Sequence, residues 1–360
     1  MKYLLQPIIF FSFFIVMLFG CSDLTLTIDD KVTQRFHVLN DDYPIPVLVR
    51  GNTASGTILL YVQGGPGLNS LDFAEIDYPG WKNTLESEYA VAYYDQRGLG
   101  NGAGEYDDNT ITLDTWIEDL HQVASFLKKA YNAEIVMMGH SFGGRMIYQY
   151  ILEHADDAVP VKYISINGGI TTDRDSLRWV FRREFLFKTA MLEITNGRNT
   201  DGWYSVIDWL NETPVIQDVE GNNPWRDKDQ WNAYVEDLVY PYYPESDLSI
   251  GDVFTVLFAS SYNPLDSYID PRLNSDLVKR IFENMYDYNL LEKFTAIDKD
   301  MLLITGRYDD ICPPCEMQYV FDSISSINKR IEIVENAGHE SFIHQPDEFF
   351  TIVKSYVDGL

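Results

Sequence analysis

The stretch AEIVMMGHSFGGRMIYQYIL, residues 133–152, contains the pattern that decides the fold. Its residues up to Met138 are mostly apolar and predict a buried strand, whereas those after Gly143 have helical spacing. A Gly-x-Ser-x-Gly pattern between a strand and a helix predicts a nucleophile elbow, in which Ser141 needs a strained backbone. The serine hydroxyl is then presented at the carboxyl end of the sheet, beside a helix N-terminus. This context disfavours the alternative, a chance match in a glycine-rich turn.

Outward from the elbow, short apolar runs alternate with a helical pattern. Strands are predicted at residues 34–39, 45–50, 57–62, 89–94, 161–166, 301–304 and 330–334, the first two antiparallel. Helices are predicted at residues 115–131 and 348–357, each with apolar residues on one face. This order indicates an α/β fold with a mostly parallel sheet covered by helices. Together with the elbow at Ser141 it predicts the α/β-hydrolase fold.

The pattern changes between residues 171 and 291, where aromatic and charged residues recur at helical spacing and prolines interrupt them. We interpret this segment as an inserted helical lid, or cap, domain. The sequence then divides into a signal peptide at 1–20, a tether at 21–31, the first part of the hydrolase core at 32–170, the helical cap at 171–291 and the second part of the core at 292–360.

The N-terminus has the layout of a secretory signal, because Lys2 precedes an apolar stretch at residues 8–19. Leu18-Phe19-Gly20-Cys21 resembles a bacterial lipobox, in which the cysteine is lipidated and becomes the first mature residue. We therefore expect lipidation of Cys21 and a lipoprotein tethered in the bacterial cell envelope. A retained transmembrane anchor is the alternative, since residues 3–19 are barely long enough to span a membrane.

The formal net charge is −28, from 27 basic and 55 acidic residues. This balance excludes nucleic acid as an expected partner, because phosphate contacts need clustered Lys and Arg. An acidic surface attracts cationic substrates, such as a free amino terminus. The oligomeric state is left open by the sequence.

Cys312-Pro313-Pro314-Cys315 allows three interpretations. A small structural disulfide is favoured, because an exported protein meets oxidising conditions. Two free thiols are the second interpretation, and a redox pair is the weakest because no thioredoxin-like context surrounds the motif. Two sulfur ligands alone make a poor zinc site, and we expect neither a metal nor a cofactor.

A serine nucleophile needs a general base, which is itself oriented by a third group. In α/β-hydrolases these residues follow in the order Ser, Asp or Glu, His. His339, in the loop after the last predicted strand, is the expected base, with His344 as the alternative. Asp309, in the loop after strand 301–304, is the expected acid, with Asp310 as the runner-up. The remaining histidines are set aside: His37, His121 and His154 lie on the wrong elements, and His140 is expected to point away from the site.

The tetrahedral intermediate of acyl transfer needs hydrogen-bond donors for its oxyanion. The backbone N–H of Phe142, directly after the nucleophile, is the first expected donor. Gly65, in the glycine-rich loop after the third predicted strand, is the second. Gly64 in the same loop lets the backbone approach the substrate without a clashing side chain.

Together these motifs resemble the proline iminopeptidase family of α/β-hydrolase serine peptidases. The resemblance is carried by Gln63-Gly64-Gly65-Pro66-Gly67, Asp95-Gln96-Arg97-Gly98, the Ser141 elbow, Gly306-Arg307-Tyr308-Asp309 and Gly338-His339. Gln63 stands where the family has histidine, a position outside the triad.

The resemblance implies a serine aminopeptidase that acts on short peptides through an acyl-enzyme. It also implies that cap glutamates hold the substrate's free amino group, and Glu236 and Glu283 lie in segments similar to those that supply them. An esterase, a lactonase or a carbon–carbon bond hydrolase is the enzymatic alternative, since fold does not fix substrate. A catalytically silent protein that binds peptides or a partner is the alternative from another class.

Overall fold

The computed structural model describes residues 33–66, 69–102, 107–171, 176–213, 225–244 and 275–359. In these residues eight strands form one sheet in the order β1-β2-β4-β3-β5-β6-β7-β8. The strands are β1 (Gln34–Asn40), β2 (Tyr43–Gly51), β3 (Thr57–Val62), β4 (Ala90–Tyr94), β5 (Glu134–His140), β6 (Lys162–Ile166), β7 (Met301–Gly306) and β8 (Lys329–Val334).

Most neighbouring strands run parallel, as the alternation of strands and helices predicts. β1 pairs antiparallel with β2, and β2 pairs antiparallel with β4. All other neighbours are parallel, from β4 through β3 and β5 to β8. Carboxyl ends of parallel strands meet at one edge of a sheet, so the loops after β3, β5, β6, β7 and β8 gather there. The α/β architecture with a mostly parallel sheet, predicted from the sequence, is confirmed.

Helices cover both faces of the sheet. They are α1 (Ser70–Glu75), α2 (Leu85–Glu88), α3 (Leu113–Tyr131), α4 (Phe142–Glu153), α5 (Ser176–Thr195), α6 (Thr200–Glu212), α7 (Trp225–Tyr234), α8 (Ser275–Asp287), α9 (Pro314–Ser323), α10 (Ser341–His344) and α11 (Pro346–Val357). Side chains alternate along β5, so that Ile135 and Met137 join one apolar cluster while Val136 and Met138 join the other. The central strand is therefore buried on both faces.

Helix α3 illustrates how local sequence sets an element. The Thr112 side chain accepts a hydrogen bond from the backbone of Thr115, whose hydroxyl accepts one from the backbone of Thr112, which forms a capping box. Asn132 ends the helix in a left-handed conformation at φ 49°. The predicted apolar face is buried along its length, at Trp116, Leu120, Val123 and Leu127.

Most of the described residues between β6 and β7 are helical, with turns and irregular stretches between the helices. It contains α5 to α8, a π-helical turn at Val235–Val239 and a 3-10 turn at Tyr240–Tyr242. Trp203, Val206 and Leu210 of α6 are buried, so its apolar side packs against other residues. That residues 171–291 form a cap domain, with the boundaries given above, stays a prediction.

The signal peptide, the tether and Cys21 lie outside the described residues, which begin at residue 33. Within the part of the chain that the structure describes, every helix is too short or too polar to cross a membrane.

Cys312 and Cys315 are free thiols, so the disulfide favoured from the sequence is wrong. Cys315 lies in the first turn of α9 and donates to the carbonyl of Phe181 on α5, 3.2 Å away. Cys312 precedes the helix and packs beside Gly169, where an added Cβ would lie 3.1 Å from its sulfur. The two thiols therefore contact different parts of the fold. Burial raises the pKa of Cys315 to about 12 and that of Cys312 well above its usual range, so neither thiol is a reactive thiolate.

Candidate active site

The nucleophile elbow has the strained geometry that the sequence predicts. β5 ends at His140, α4 begins at Phe142, and Ser141 between them adopts φ 54° and ψ −116°. A positive φ is costly for a residue with a side chain and persists where the surroundings impose it. Gly143 lies so close to the carbonyl oxygens of Val62 and Gln63 at the end of β3 that no Cβ could be accommodated. The glycines of the motif therefore let the turn pack against the neighbouring strand.

His339 and Asp309 are paired, as expected of a base and its orienting acid. Nδ1 of His339 lies 3.0 Å from Oδ2 and 3.1 Å from Oδ1 of Asp309, whose side chain is fully buried. The backbone N–H groups of Ile311 and Cys312 each donate to Oδ1 of Asp309 at 2.9 Å. The carboxylate is thus held from several sides while it faces the imidazole. The catalytic roles of this pair and of Ser141 stay predictions.

Asn167 is a site residue that the sequence reasoning missed. It directly follows β6 at φ 48°, and its Nδ2 donates to Oδ2 of Asp309 at 2.6 Å. Ser341, at the start of α10, donates its hydroxyl to Oδ1 of Asn167 at 2.9 Å. A polar residue at the carboxyl end of a predicted buried strand was the available signal. Asn167 therefore fixes the orientation of the acid.

Several carboxylates act on the protonation of His339. Burial disfavours the charged imidazolium, but the charges of Asp309, Asp310 and Glu340 outweigh it and raise the pKa of His339 above 6.5. Asp310, the runner-up acid, is itself buried, and burial together with the neighbouring Asp309 raises its pKa to about 6. His339 hydrogen-bonds to Asp309, and Asp310 lies close enough to His339 to favour the charged imidazolium.

His344, the alternative base, has a different environment. Its Nδ1 accepts a hydrogen bond from the backbone N–H of Gly338 at 3.1 Å, and its ring packs against Tyr243 with centroids 4.7 Å apart. Burial lowers the pKa of His344. A neutral histidine bonded to the residue before His339 supports the loop of the base.

His140 contacts the loop of His339, so the expectation that it points away from the site is wrong. Its Nε2 lies 2.9 Å from the carbonyl oxygen of His339, and the two rings are 4.8 Å apart. The elbow and the histidine loop are therefore joined by a direct hydrogen bond. Sequence spacing gave no indication of this contact, because 199 residues separate its partners.

The predicted oxyanion loop lies against the elbow. Gly65 adopts φ 48°, a left-handed conformation that suits glycine. A Cβ added to Gly64 would lie 3.1 Å from Cβ of Ser141, so this backbone reaches the nucleophile. Phe142 occupies the first position of α4, where its N–H has no partner within the helix. Both predicted donors thus lie on segments beside Ser141.

The Asp95-Gln96-Arg97-Gly98 motif makes structural contacts with α1, α3 and β2. Oδ1 of the buried Asp95 accepts hydrogen bonds from the backbone N–H groups of Ser70 and Leu71 at 2.7 and 3.1 Å, which holds the start of α1. The guanidinium of Arg97 pairs with Asp119 of α3 and stacks on the ring of Tyr43 at 4.0 Å. The motif therefore acts through structure, by fixing the segment that follows the glycine-rich loop.

Tyr242 and Tyr243, from the segment between β6 and β7, contact the loops of the acid and the base. Tyr242 stacks on Tyr308 with centroids 4.9 Å apart, directly beside Asp309. A Cβ added to Gly338 would lie 2.6 Å from Cζ of Tyr243, so only glycine fits next to this ring. The predicted cap is thus packed against the site at these two residues.

The predicted amine ligands lie on this segment, but their side chains are in different environments. Glu236 is exposed on the π-helical turn, and its charge helps to raise the pKa of Tyr240, after burial and Asp310. Glu283 is half-buried on α8, next to Asn284, which accepts a hydrogen bond from the backbone of Leu113 at 3.2 Å. Their role as amine ligands stays a prediction.

Comparison with known proteins identifies the fold and the family. A family model described as the alpha/beta hydrolase fold matches residues 57–346. A proline iminopeptidase of Clostridioides difficile is 33% identical over 334 residues, which cover 91% of this chain and 99% of that protein.

Solved structures share the fold at low sequence identity. A proline iminopeptidase-related protein from Thermus thermophilus superimposes with a TM-score of 0.53 at 17% identity, covering 91% of this chain and 98% of the other. An esterase from Exiguobacterium antarcticum also gives a TM-score of 0.53, at 15% identity, covering 91% and 100%. These likenesses indicate the fold alone, since one fold hosts many functions.

Proposed function

The chain belongs to the α/β-hydrolase family, in its proline iminopeptidase-like branch, and on that premise we propose that it is a serine aminopeptidase. It releases an N-terminal residue, proline or another small or apolar residue, from short peptides. The observation that carries the proposal is the hydrogen bond between the buried Asp309 carboxylate and His339. The carbonyl of His339 is in turn hydrogen-bonded to His140, the residue before the strained Ser141. This arrangement suits acyl transfer.

The proposed reaction has two halves. Oγ of Ser141 attacks the carbonyl carbon of the first peptide bond while Nε2 of His339 takes the hydroxyl proton. The N–H groups of Phe142 and Gly65 stabilise the oxyanion, and Asp309 stabilises the imidazolium. His339 then gives its proton to the leaving nitrogen, so the C–N bond breaks and an ester to Ser141 remains. Water, deprotonated by His339, hydrolyses this ester and regenerates the serine.

Two features support a substrate with a free amino terminus. The Clostridioides difficile relative is named a proline iminopeptidase, and the alignment spans nearly all of both proteins. The net charge of −28 favours approach of a cationic group. In the proposal Glu283, with Glu236, supplies the negative partner that a desolvated amino group needs.

A panel of fluorogenic aminoacyl amides with free amino termini tests the proposal. We expect turnover of prolyl or small apolar aminoacyl amides, and loss of that turnover in Ser141→Ala. Turnover of simple esters without turnover of any aminoacyl amide would contradict the peptidase assignment.

An esterase, lactonase or carbon–carbon bond hydrolase is the second candidate, and the exposure of Glu236 favours it. A solvated carboxylate binds an amine weakly, since exposed ion pairs contribute about 0–1 kcal/mol. A silent binding protein is the third candidate, and failure of Ser141 to react with a fluorophosphonate probe would support it.

We further propose that the enzyme is held in the bacterial cell envelope by a lipid on Cys21. The proposal is supported by the basic, apolar and small-residue order of residues 1–21.

A further inference from the structure

His140 is buried at the point where three loops of the candidate site meet. It ends β5 and is 7% exposed, and its ring makes a T-shaped contact with that of Phe342, with centroids 5.0 Å apart. On another side its ring lies 4.8 Å from that of His339. The proposed reaction uses His140 neither as base nor as acid.

The hydrogen bond to His339 defines the tautomer of His140. The partner of Nε2 is a carbonyl oxygen, which only accepts, so Nε2 carries the proton. Burial, followed by the charge of His339, lowers the pKa of His140 to about 3. The ring is therefore neutral wherever His339 titrates, and its Nδ1 is unprotonated.

The unprotonated nitrogen faces the glycine-rich loop. A Cβ added to Gly64 would lie 2.8 Å from Nδ1 of His140 and 3.1 Å from Cβ of Ser141. One ring thus contacts the backbone of the predicted oxyanion loop and donates to the backbone of the base. Through the chain it is also bonded to the nucleophile.

We propose that His140 is a positioning residue that holds His339 and the Gly64 backbone in register with Ser141. A neutral ring supports the carbonyl of His339 without placing a second positive charge beside the imidazolium that forms during turnover. A hydrophobic residue would leave that carbonyl without this donor, and a lysine would add the charge. The proposal rests on the proposed serine mechanism but not on the identity of the substrate.

The test measures kcat and KM across pH for a small neutral ester, with His140→Phe, His140→Asn and His140→Gln. Phe keeps a ring without a donor, the Asn amide is too short to reach the carbonyl, and the longer Gln amide can restore the donor. We expect Phe and Asn to lower kcat by about 10- to 100-fold, the loss typical when a residue that orients a functional side chain is removed. KM should change little. Gln should recover most of the rate. If Phe fails to fold, the Asn–Gln pair still decides the test.

The pH profile separates positioning from general destabilisation. In the Phe and Asn variants the acid limb should move to lower pH, because a loosened His339 loses part of the interaction with Asp309 that raises its pKa. His121→Gln is the matched change on α3, where the His121 ring packs against Tyr150 and His154, and it should behave as wild type. Unchanged kcat and acid limb in the Phe and Asn variants would overturn the proposal. Equal losses in all three His140 variants, in step with lowered Tm, would overturn it as well.

The Ser141→Ala variant distinguishes failure of the serine mechanism from failure of the positioning role of His140. Full ester turnover in that variant would refute the serine mechanism, and with it this role for His140. Turnover that is lost in Ser141→Ala but kept in His140→Phe and His140→Asn would refute only the positioning role.

Discussion

The imidazole of His339 faces both oxygens of the Asp309 carboxylate, with Nδ1 at 3.0 and 3.1 Å. Because the carboxylate is fully buried and also receives hydrogen bonds from Asn167 and two backbone N–H groups, it has little freedom to turn away. Nδ1 therefore carries the proton in the neutral ring, and Nε2 is the nitrogen available to a serine. Asp310, one residue further on, lacks this bond to the imidazole among its described contacts.

The first prediction concerns the triad. Ser141→Ala and His339→Ala should each lower kcat by about 10³- to 10⁶-fold while Tm stays near that of the wild type, as members of one catalytic unit do. Asp309→Asn should lower kcat by about 10⁴-fold, because it favours the wrong tautomer. Asp310→Asn, compared at a pH above the acid limb, should lower kcat far less. A greater loss of kcat in Asp310→Asn than in Asp309→Asn would show that the acid is misassigned.

The second prediction concerns pH. His339 accepts a proton only when neutral, and its pKa is raised, so kcat/KM should rise with pH along an acid limb centred above 6.5. Asp310 titrates nearby with a pKa of about 6, so the wild-type limb should reflect two coupled steps. Asp310→Asn removes a negative charge that favours imidazolium, and the limb should become a single step at lower pH. Asp322→Asn, an exposed change elsewhere, should leave the limb in place.

Persistence of the wild-type limb in Asp310→Asn would mean that Asp310 does not act on His339. A shift to higher pH would contradict the sign of the interaction.

Elements with strong local signals were predicted from the sequence almost to the residue. The third strand was expected at residues 57–62 and lies at Thr57–Val62, and the helix expected at 115–131 is α3 at Leu113–Tyr131. The strand is predicted by its own apolar run, and the helix by its own amphipathic face and N-terminal cap. The elbow was recognisable for the same reason.

Contacts between distant segments could not be predicted in this way. Asn167, His140 and Tyr243 contact the loops of Asp309 and His339 across the fold. The position of Asn167 at the end of a predicted strand is a local signal, but it does not identify Asp309 as the partner. The contacts of the two cysteines could not be predicted from the sequence either. Their spacing allows a disulfide, but Cys315 instead donates to Phe181, 134 residues away in the chain.

The third prediction tests the amine ligands. Glu283→Gln keeps size and hydrogen bonding but removes the charge, so kcat/KM for substrates with a free amino terminus should fall by roughly ten- to a thousand-fold, or about 1.5–4 kcal/mol. Glu236→Gln should cost less, because Glu236 is exposed and screened by solvent. Hydrolysis of a neutral ester should change little in either variant. Glu292→Gln, an exposed glutamate outside the predicted cap, is the control.

Equal losses on amine and ester substrates would assign Glu283 a structural role. No loss on either would exclude it as an amine ligand.

The fourth prediction concerns the N-terminus. Cys21→Ser should abolish lipidation, and the protein should leave the membrane fraction or accumulate as an unprocessed precursor. Fractionation and intact-mass spectrometry of wild type and variant check this. A Cys21→Ser protein that keeps its membrane association, and whose mass differs from that of the wild type only by the exchange of one sulfur for one oxygen, would support the retained anchor instead.

The central claim, that this enzyme is an aminopeptidase, is tested most directly by one matched pair of substrates. Wild-type kcat/KM is measured for a prolyl fluorogenic amide and for the same compound acetylated on the proline nitrogen. Both present the same scissile bond, and only the first carries a cationic amine. We predict a preference for the free amine of about 100-fold or more, which corresponds to about 2.7 kcal/mol. Equal turnover of the two amides, or turnover of the acetylated amide alone, would contradict the claim.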